Sequence, residues 1–283
     1  MTDTETSTHL LLIDCPDEPG LVSRITGTLF QQGFNITTNH EFVDPAATHF
    51  FMRTAFRGRG DPQQVVAVLR PLLPASATIR LTALQQRRIV VLATREPHCL
   101  GDLLLRDAYD ELPARIMAVV SNHATLGRLV RKFDLPFHHV SHEGYDREVH
   151  EQALIDTITP YEPDYIVLAK YMRVLTPRFL ACFPNRIINI HHSFLPAFIG
   201  ASPYRQAFER GVKIIGATAH LVTEDLDTGP IIAQSVLPVD HTYTATAMAQ
   251  AGRDVEKIVL ARALRLVLEE RVFFHANRTI IFE

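Results

Sequence analysis

The chain has 283 residues, 47% of them hydrophobic and 21% charged. It is therefore long enough for two cores, and its composition excludes a disordered, collagen-like or disulfide-stapled polypeptide. A formal net charge of −3, nearly balanced on either side of Arg87, excludes a basic nucleic-acid platform. The N-terminal MTDTETST has no apolar stretch behind a basic start, and no run approaches the ~18 apolar residues of a membrane span, so a cytoplasmic protein is expected. Cys15, Cys99 and Cys182 lie far apart with no CxxC pattern, and small buried hydrophobes are expected there. Fourteen histidines beside no tryptophan raise the question of metal binding or proton transfer.

In chain order, HLLLIDC (9–15) reads as a strand, and PDEPG as a turn. LVSRITGTLFQQG follows as a helix with Leu21, Ile25, Leu29 and Phe30 on one face, stopped by Gly33. Asn35 to Val43 and Thr48 to Phe56 read as strands; Asp61 caps a helix begun by Pro62 and running to Leu73; Thr78 to Leu84 is a last strand. The order is βαββαβ, the ferredoxin-like arrangement. DEPGLVSRITGTLFQQGFNI resembles the start of an ACT domain. The resemblance implies a regulatory module over 1–85 that binds a small molecule, usually an amino acid, and pairs with another copy to make a homo-oligomer, at least a dimer.

From residue 86 to 283 the pattern changes to buried strands alternating with helices. Strands are expected at Arg88 to Thr94, Arg115 to Ser121, Phe137 to Val140, Asp164 to Ala169, Arg186 to Ile190 and Lys213 to Val222, with a return strand over 230–238. Such continuous apolar runs suit a mostly parallel, Rossmann-like α/β sheet covered on both faces. Helices are expected at His123 to Phe133, Asp146 to Ile158, after Thr176-Pro177, from Ser202-Pro203 to Gly211 with Ser202 as cap, and over 244–270.

Ligands of open parallel sheets bind beyond the carboxyl ends of the strands. There RIINI runs into His191, placing Asn189 and His191 on one side of an extended chain, and GATAHLV runs into a turn carrying Asp227 and closed by Gly229 and Pro230. An amide, an imidazole and a carboxylate converging on one crevice suit acyl transfer from nitrogen: oxyanion stabilisation, proton donation and activation of a nucleophile. His138, His139, His142 and His150 lack metal-ligand spacing, and no metal is expected.

NIHHSFLPAFIGASPY followed by GATAHLVTEDLDTGPII resembles the core of the formyltetrahydrofolate-dependent transferase and hydrolase family, with its Asn-x-His, Leu-Pro and Leu-Asp-x-Gly-Pro elements. The resemblance implies the formyltransferase fold and catalytic roles for Asp227, His191 and Asn189. LAKYMRVLTPRF is similar to the folate-side loop, which implies that Met172, Arg173, Val174 and Leu175 contact the pterin, with His220 bordering the site.

The stretch from Thr94 to Gly101 lacks the glycine-rich nest that would cradle a phosphorylated acceptor, and Glu96 and Pro97 oppose one. With an ACT module in front, the chain is most similar to the hydrolytic branch of the family. That likeness implies a folate substrate, 10-formyltetrahydrofolate, cleaved to formate and tetrahydrofolate with no cofactor, and a place in balancing one-carbon pools and supplying formate for purine synthesis. Asp227 would deprotonate the water, Asn189 and His191 would hold the oxyanion, and methionine or glycine would act at the ACT module. The alternative is transfer of the formyl group to an amine.

Overall fold

The computed structural model describes residues 8–197 and 203–283. Two compact units emerge: one ends at Gln85 and includes Phe282–Glu283, and the other is Gln86–Ile281. No helix among the described residues is long and apolar enough to cross a membrane.

In the first unit the order is β1 (His9–Pro16), α1 (Leu21–Gln31), β2 (Phe34–Asp44), β3 (His49–Gly58), α2 (Pro62–Leu69) and β4 (Thr78–Ala83). The strands form an antiparallel sheet in the order β2-β3-β1-β4. Leu11, Ile13 and Cys15 alternate onto the face that meets Ile25 and Leu29 of α1 and Val65 and Leu69 of α2, so period-2 and period-3.6 patterns bury one shared core. The Asp61 side chain accepts from the Gln63 amide to start α2, and Gly33, at φ 78°, takes the left-handed turn after α1.

The second unit runs through β5 (Arg87–Ala93), α3 (His98–Ala108), β6 (Ala114–Ser121), α4 (Gly127–Val130), β7 (Phe137–His139), α5 (Arg147–Ile158), β8 (Tyr165–Ala169), α6 (Pro177–Cys182) and β9 (Ile187–His191). It continues with α7 (Pro203–Arg210), β10 (Ile214–Leu221), β11 (Ile231–Pro238), α8 (Ala245–Leu268) and a hairpin of β12 (Val272–His275) and β13 (Arg278–Ile281). Its seven-stranded sheet has the order β11-β10-β9-β8-β5-β6-β7. Strand alternation divides the core in two. Ile89, Val91 and Ala93 of β5 join the cluster with α3 and α8, while Val90 and Leu92 join the one with α5 and α6.

Several expectations are corrected. β9 through β7 are parallel, but β10 pairs antiparallel with both β9 and β11. The GATAHLV strand therefore does not deliver its carboxyl end beside that of RIINI. The 123–133 segment is a single helical turn flanked by two 3₁₀ turns, because Gly127 lies against the Phe137 ring with no room for a Cβ and Asp134 turns left-handed. α3 was not expected at all: its apolar positions follow a stretch that reads as a loop. α2 stops at Leu69, and a 3₁₀ turn over Arg70–Leu72 completes the run. Cys182 is exposed, whereas Cys15 and Cys99 are buried, and Phe30, one position past Leu29 on α1, turns out of the shared face and is 80% exposed. The cap expected at Ser202, with positions 198–201 of the NIHHSFLPAFIGA motif, lies outside the described residues.

The loop joining β10 to β11 returns across the sheet edge and closes at Gly229, where a Cβ would stand 1.8 Å from the Leu221 carbonyl oxygen. Backbone cannot yield as a side chain can. Gly229→Ala is therefore expected to cost about 2 kcal/mol, lowering the midpoint of thermal unfolding by roughly 4–8 °C in calorimetry.

Candidate active site

The antiparallel register builds the site by setting His220 opposite Asn189 and Thr218 opposite His191. Residues facing each other across such a pair share one side of the sheet. The Asn189 amide nitrogen lies 3.2 Å from His220 Nε2, and His220 Nδ1 lies 2.9 Å from the Leu221 carbonyl oxygen. A carbonyl only accepts, so Nδ1 carries the proton there, and Nε2 faces the Asn189 amide. Thr218, fully buried, pins the turn after β9: its hydroxyl donates to the Ser193 carbonyl and accepts from the Leu195 amide and the Gln234 side chain.

Asp227 reaches this cluster from the returning loop. Its carboxylate lies 3.3 Å from His191 Nδ1 and 3.6 Å from His220 Nε2. The residue takes the left-handed conformation at φ 56°, a strained geometry for a non-glycine that concentrates at functional sites. Burial pushes the Asp227 carboxyl up, but the two imidazoles outweigh it and hold the group well below the usual carboxylate range. With Nδ1 facing Asp227, His191 Nε2 is buried and has no hydrogen-bond partner among the described residues. Buried polar atoms left in this condition are uncommon in folded proteins.

Asn189, His191, His220 and Asp227 line one cavity of about 190 Å³ with Met172, Arg173, Val174 and Leu175. The structure thus brings all eight expected site residues together. Leu175 is buried in its wall, while Met172 and Val174 stand more than half exposed. Sequence reasoning missed what holds this loop. Glu151 of α5, itself buried, accepts from the Thr176 amide at 2.9 Å and from the Thr176 hydroxyl, and Arg147 donates to the Val174 carbonyl. The Met172 amide donates to Thr94 Oγ1 at 3.0 Å. A carboxylate one turn after an arginine on α5 is the only trace of this anchor in the sequence.

A second polar cluster adjoins the first. Glu256 of α8, 1% exposed, accepts from Tyr204 OH at 2.6 Å and faces His98 Nε2 at 2.8 Å and Lys170 Nζ at 3.4 Å. Burial pushes its carboxyl up, yet His98, Lys170 and Tyr204 together bring it down to about 2. His98, Cys99 and Glu256 could bring ligand atoms within 4.8 Å of one another. However, burial pushes the Cys99 thiol up, away from the thiolate form, and an ammonium already neutralises Glu256, so the set suits a protein-internal network better than a cation. His138 meets Tyr161 OH, and His150 is buried against the Val140 carbonyl, so those two histidines are held by structural partners.

Residues 87–264 match the formyl transferase family, and residues 9–73 match the ACT domain. Formyltetrahydrofolate deformylase of Escherichia coli strain K12 is 58% identical over 267 residues, covering 94% of this chain and 95% of that protein. The chain belongs to the formyltetrahydrofolate deformylase family. The crystal structure of a formyltetrahydrofolate deformylase from Pseudomonas syringae pv. tomato superposes with a TM-score of 0.94 at 41% identity, covering 99% of this chain and 96% of that one. A glycinamide ribonucleotide transformylase from Symbiobacterium toebii, at 34% identity and a TM-score of 0.67, covers 95% of its own length but only 70% of this chain. The βαββαβ unit and the mostly parallel sheet expected from sequence are thus both those of this family.

His192 sits in the wall shared by the two clusters. Burial, then the Lys170 ammonium, brings its pKa down to about 4 from an ordinary 6.5. A histidine depressed on folding contributes stability that is complete above its unfolded pKa and lost as pH falls toward the folded value. Between pH 7 and pH 5 the protein should lose about 2 kcal/mol from this residue alone. Urea midpoints at the two pH values are expected to converge in His192→Asn; an unchanged pH dependence would contradict the assignment.

Proposed function

We infer that the chain hydrolyses 10-formyltetrahydrofolate to formate and tetrahydrofolate. The observation that carries this reading is the unpartnered Nε2 of His191, buried in the cavity while Nδ1 is held by an ionised Asp227. Both Asp227 contacts run to imidazole nitrogens, so this reading gives the first proton transfer to His191 rather than to Asp227. Its part is to fix the ring tautomer and to stabilise the imidazolium.

Water attacks the formyl carbon as its proton passes to His191 Nε2. The spare N–H of Asn189, whose other N–H is turned to His220, stabilises the oxyanion. The intermediate collapses by breaking the bond from carbon to N10, and His191 returns the proton to N10. Apolar Met172, Val174 and Leu175 and the backbone groups between them line the pterin side.

The reading extends to an amino-acid effector, methionine or glycine, at the ACT domain, to pairing through that domain into at least a dimer, to a cytoplasmic place, and to supply of formate for purine synthesis. The ACT match over residues 9–73 supports the regulatory part, and three unpaired cysteines support a reducing compartment.

Purified protein given 10-formyltetrahydrofolate and no acceptor should release formate, with a rate that responds to methionine or glycine. His191→Ala and Asp227→Asn should each lower kcat by about 10²-fold or more while leaving the circular dichroism spectrum unchanged. Near-normal formate release by both variants would overturn the roles assigned to these two residues.

A further inference from the structure

Beside the reaction cavity lies a second chamber of about 450 Å³, lined by Glu96, Tyr204, Arg205, Thr246, Arg253 and Glu256. Lys170, Met172 and His192 line both spaces and so form the wall between them. The second chamber is large enough for a small polar molecule, and its deepest charge is the carboxylate of Glu256. An amine standing at that carboxylate would be next to the cavity that holds Asn189 and His191. The protein has put one of its own there. The Lys170 side chain is 3% exposed, with Nζ 3.4 Å from Glu256 Oε2.

The placement is built rather than incidental. Lys170 follows directly on β8 and takes the left-handed conformation at φ 62°, which for a residue other than glycine costs on the order of 1 kcal/mol. Its partner is held from two further sides, by His98 Nε2 from α3 and Tyr204 OH from α7. Gly252, one turn before Glu256 on α8, gives Tyr204 its room, since a Cβ there would lie 2.1 Å from the ring. Three helices and a strand end thus converge to seat one buried ammonium against one buried carboxylate.

We propose that Lys170 is a specificity-determining residue: it is the internal occupant of an amine subsite, and by filling it against Glu256 it denies an external amine access to the formyl group, leaving water as the acceptor. The inference rests on the hydrolytic reading above. An external amine would otherwise attack the formyl carbon with its nitrogen lone pair. The bond from carbon to N10 would break, N10 would gain the proton lost by the amine, and a formamide and tetrahydrofolate would result. Lys170 itself cannot do this while its nitrogen is an ammonium with no lone pair. It also presents a positive charge to any cationic amine, so exclusion works by volume and by repulsion.

The experiment measures how the formyl group divides between formate and N-formyl product when methylamine or glycinamide is present at pH 8 to 9. Wild type should release formate and only the background level of N-formyl amine. Lys170→Ala should yield at least about tenfold more N-formyl amine than wild type, rising with amine concentration, and Lys170→Arg, which keeps the charge and bulk, should restore release of formate alone. A merely structural lysine would change overall rate in both variants without changing this ratio.

Because Lys170→Ala leaves Glu256 buried without its cation, Lys170→Ala/Glu256→Gln provides a neutral version of the opened subsite. Formate as the sole product from every folded variant, or substantial N-formyl amine from wild type, would overturn the inference while leaving hydrolysis intact. Absence of formate from wild type would overturn the hydrolytic reading, and this one with it.

Discussion

The antiparallel pairing of β9 with β10 is the constraint on which the site depends. Strands of opposite direction place Asn189 against His220 and His191 against Thr218, so one short stretch of sheet supplies an amide, two imidazoles and the hydroxyl that locks the following turn. A parallel β10 would have ended beside the carboxyl end of β9 and set other side chains against Asn189 and His191. Antiparallel pairing leaves only the short return through 223–230 into β11, and the space at Gly229 lets that return pass close enough to the Leu221 carbonyl for Asp227 to reach both imidazoles. The β-bulge between Ala219 and His220 falls within this same stretch, a place where such irregularities commonly re-aim side chains.

The elements legible from sequence are those whose pattern is local. β5 shows an unbroken apolar run because it is buried on both faces, and α8 shows a periodic apolar stripe because it covers one face of the sheet. Thr176, Thr244 and Asp61 announce their helices because capping is a bond between near neighbours in sequence. The direction of β10 was not legible, because a buried strand reads alike whichever way its neighbours run. Nor was α3, whose helix starts at Pro97 without a side-chain cap and carries His98 and Cys99 where a loop would be expected.

The site divides in the same way. Asn189, His191 and Asp227 could be named from the strand ends and the family motif, since each lies within a few residues of a recognisable turn. Lys170, His98, Tyr204 and Glu256 could not be grouped. They come from the residue after β8 and from α3, α7 and α8, separated by up to 158 residues, and no spacing rule joins them. Glu151 belongs with this second kind: its carboxylate organises the Thr176 end of the loop after β8 from a helix that precedes the loop by an entire strand. Motifs report what the chain does within a turn or two, whereas packing decides which distant charges meet.

The two carboxylates of the interior show how such meetings separate reactivity from structure. Both are drawn below their ordinary range by cationic or hydrogen-bonding neighbours. Glu256 has both oxygens engaged by His98, Lys170 and Tyr204, each from a different element. A fully partnered buried charge of this kind stabilises an arrangement and has little left to offer a substrate. Asp227 instead engages an imidazole whose far nitrogen has no partner among the described residues, so that nitrogen still has a hydrogen bond to offer. Satisfaction at one cluster and an open nitrogen at the other, with His192 in the wall between them, are the contrast on which the roles proposed for His191 and Lys170 rest.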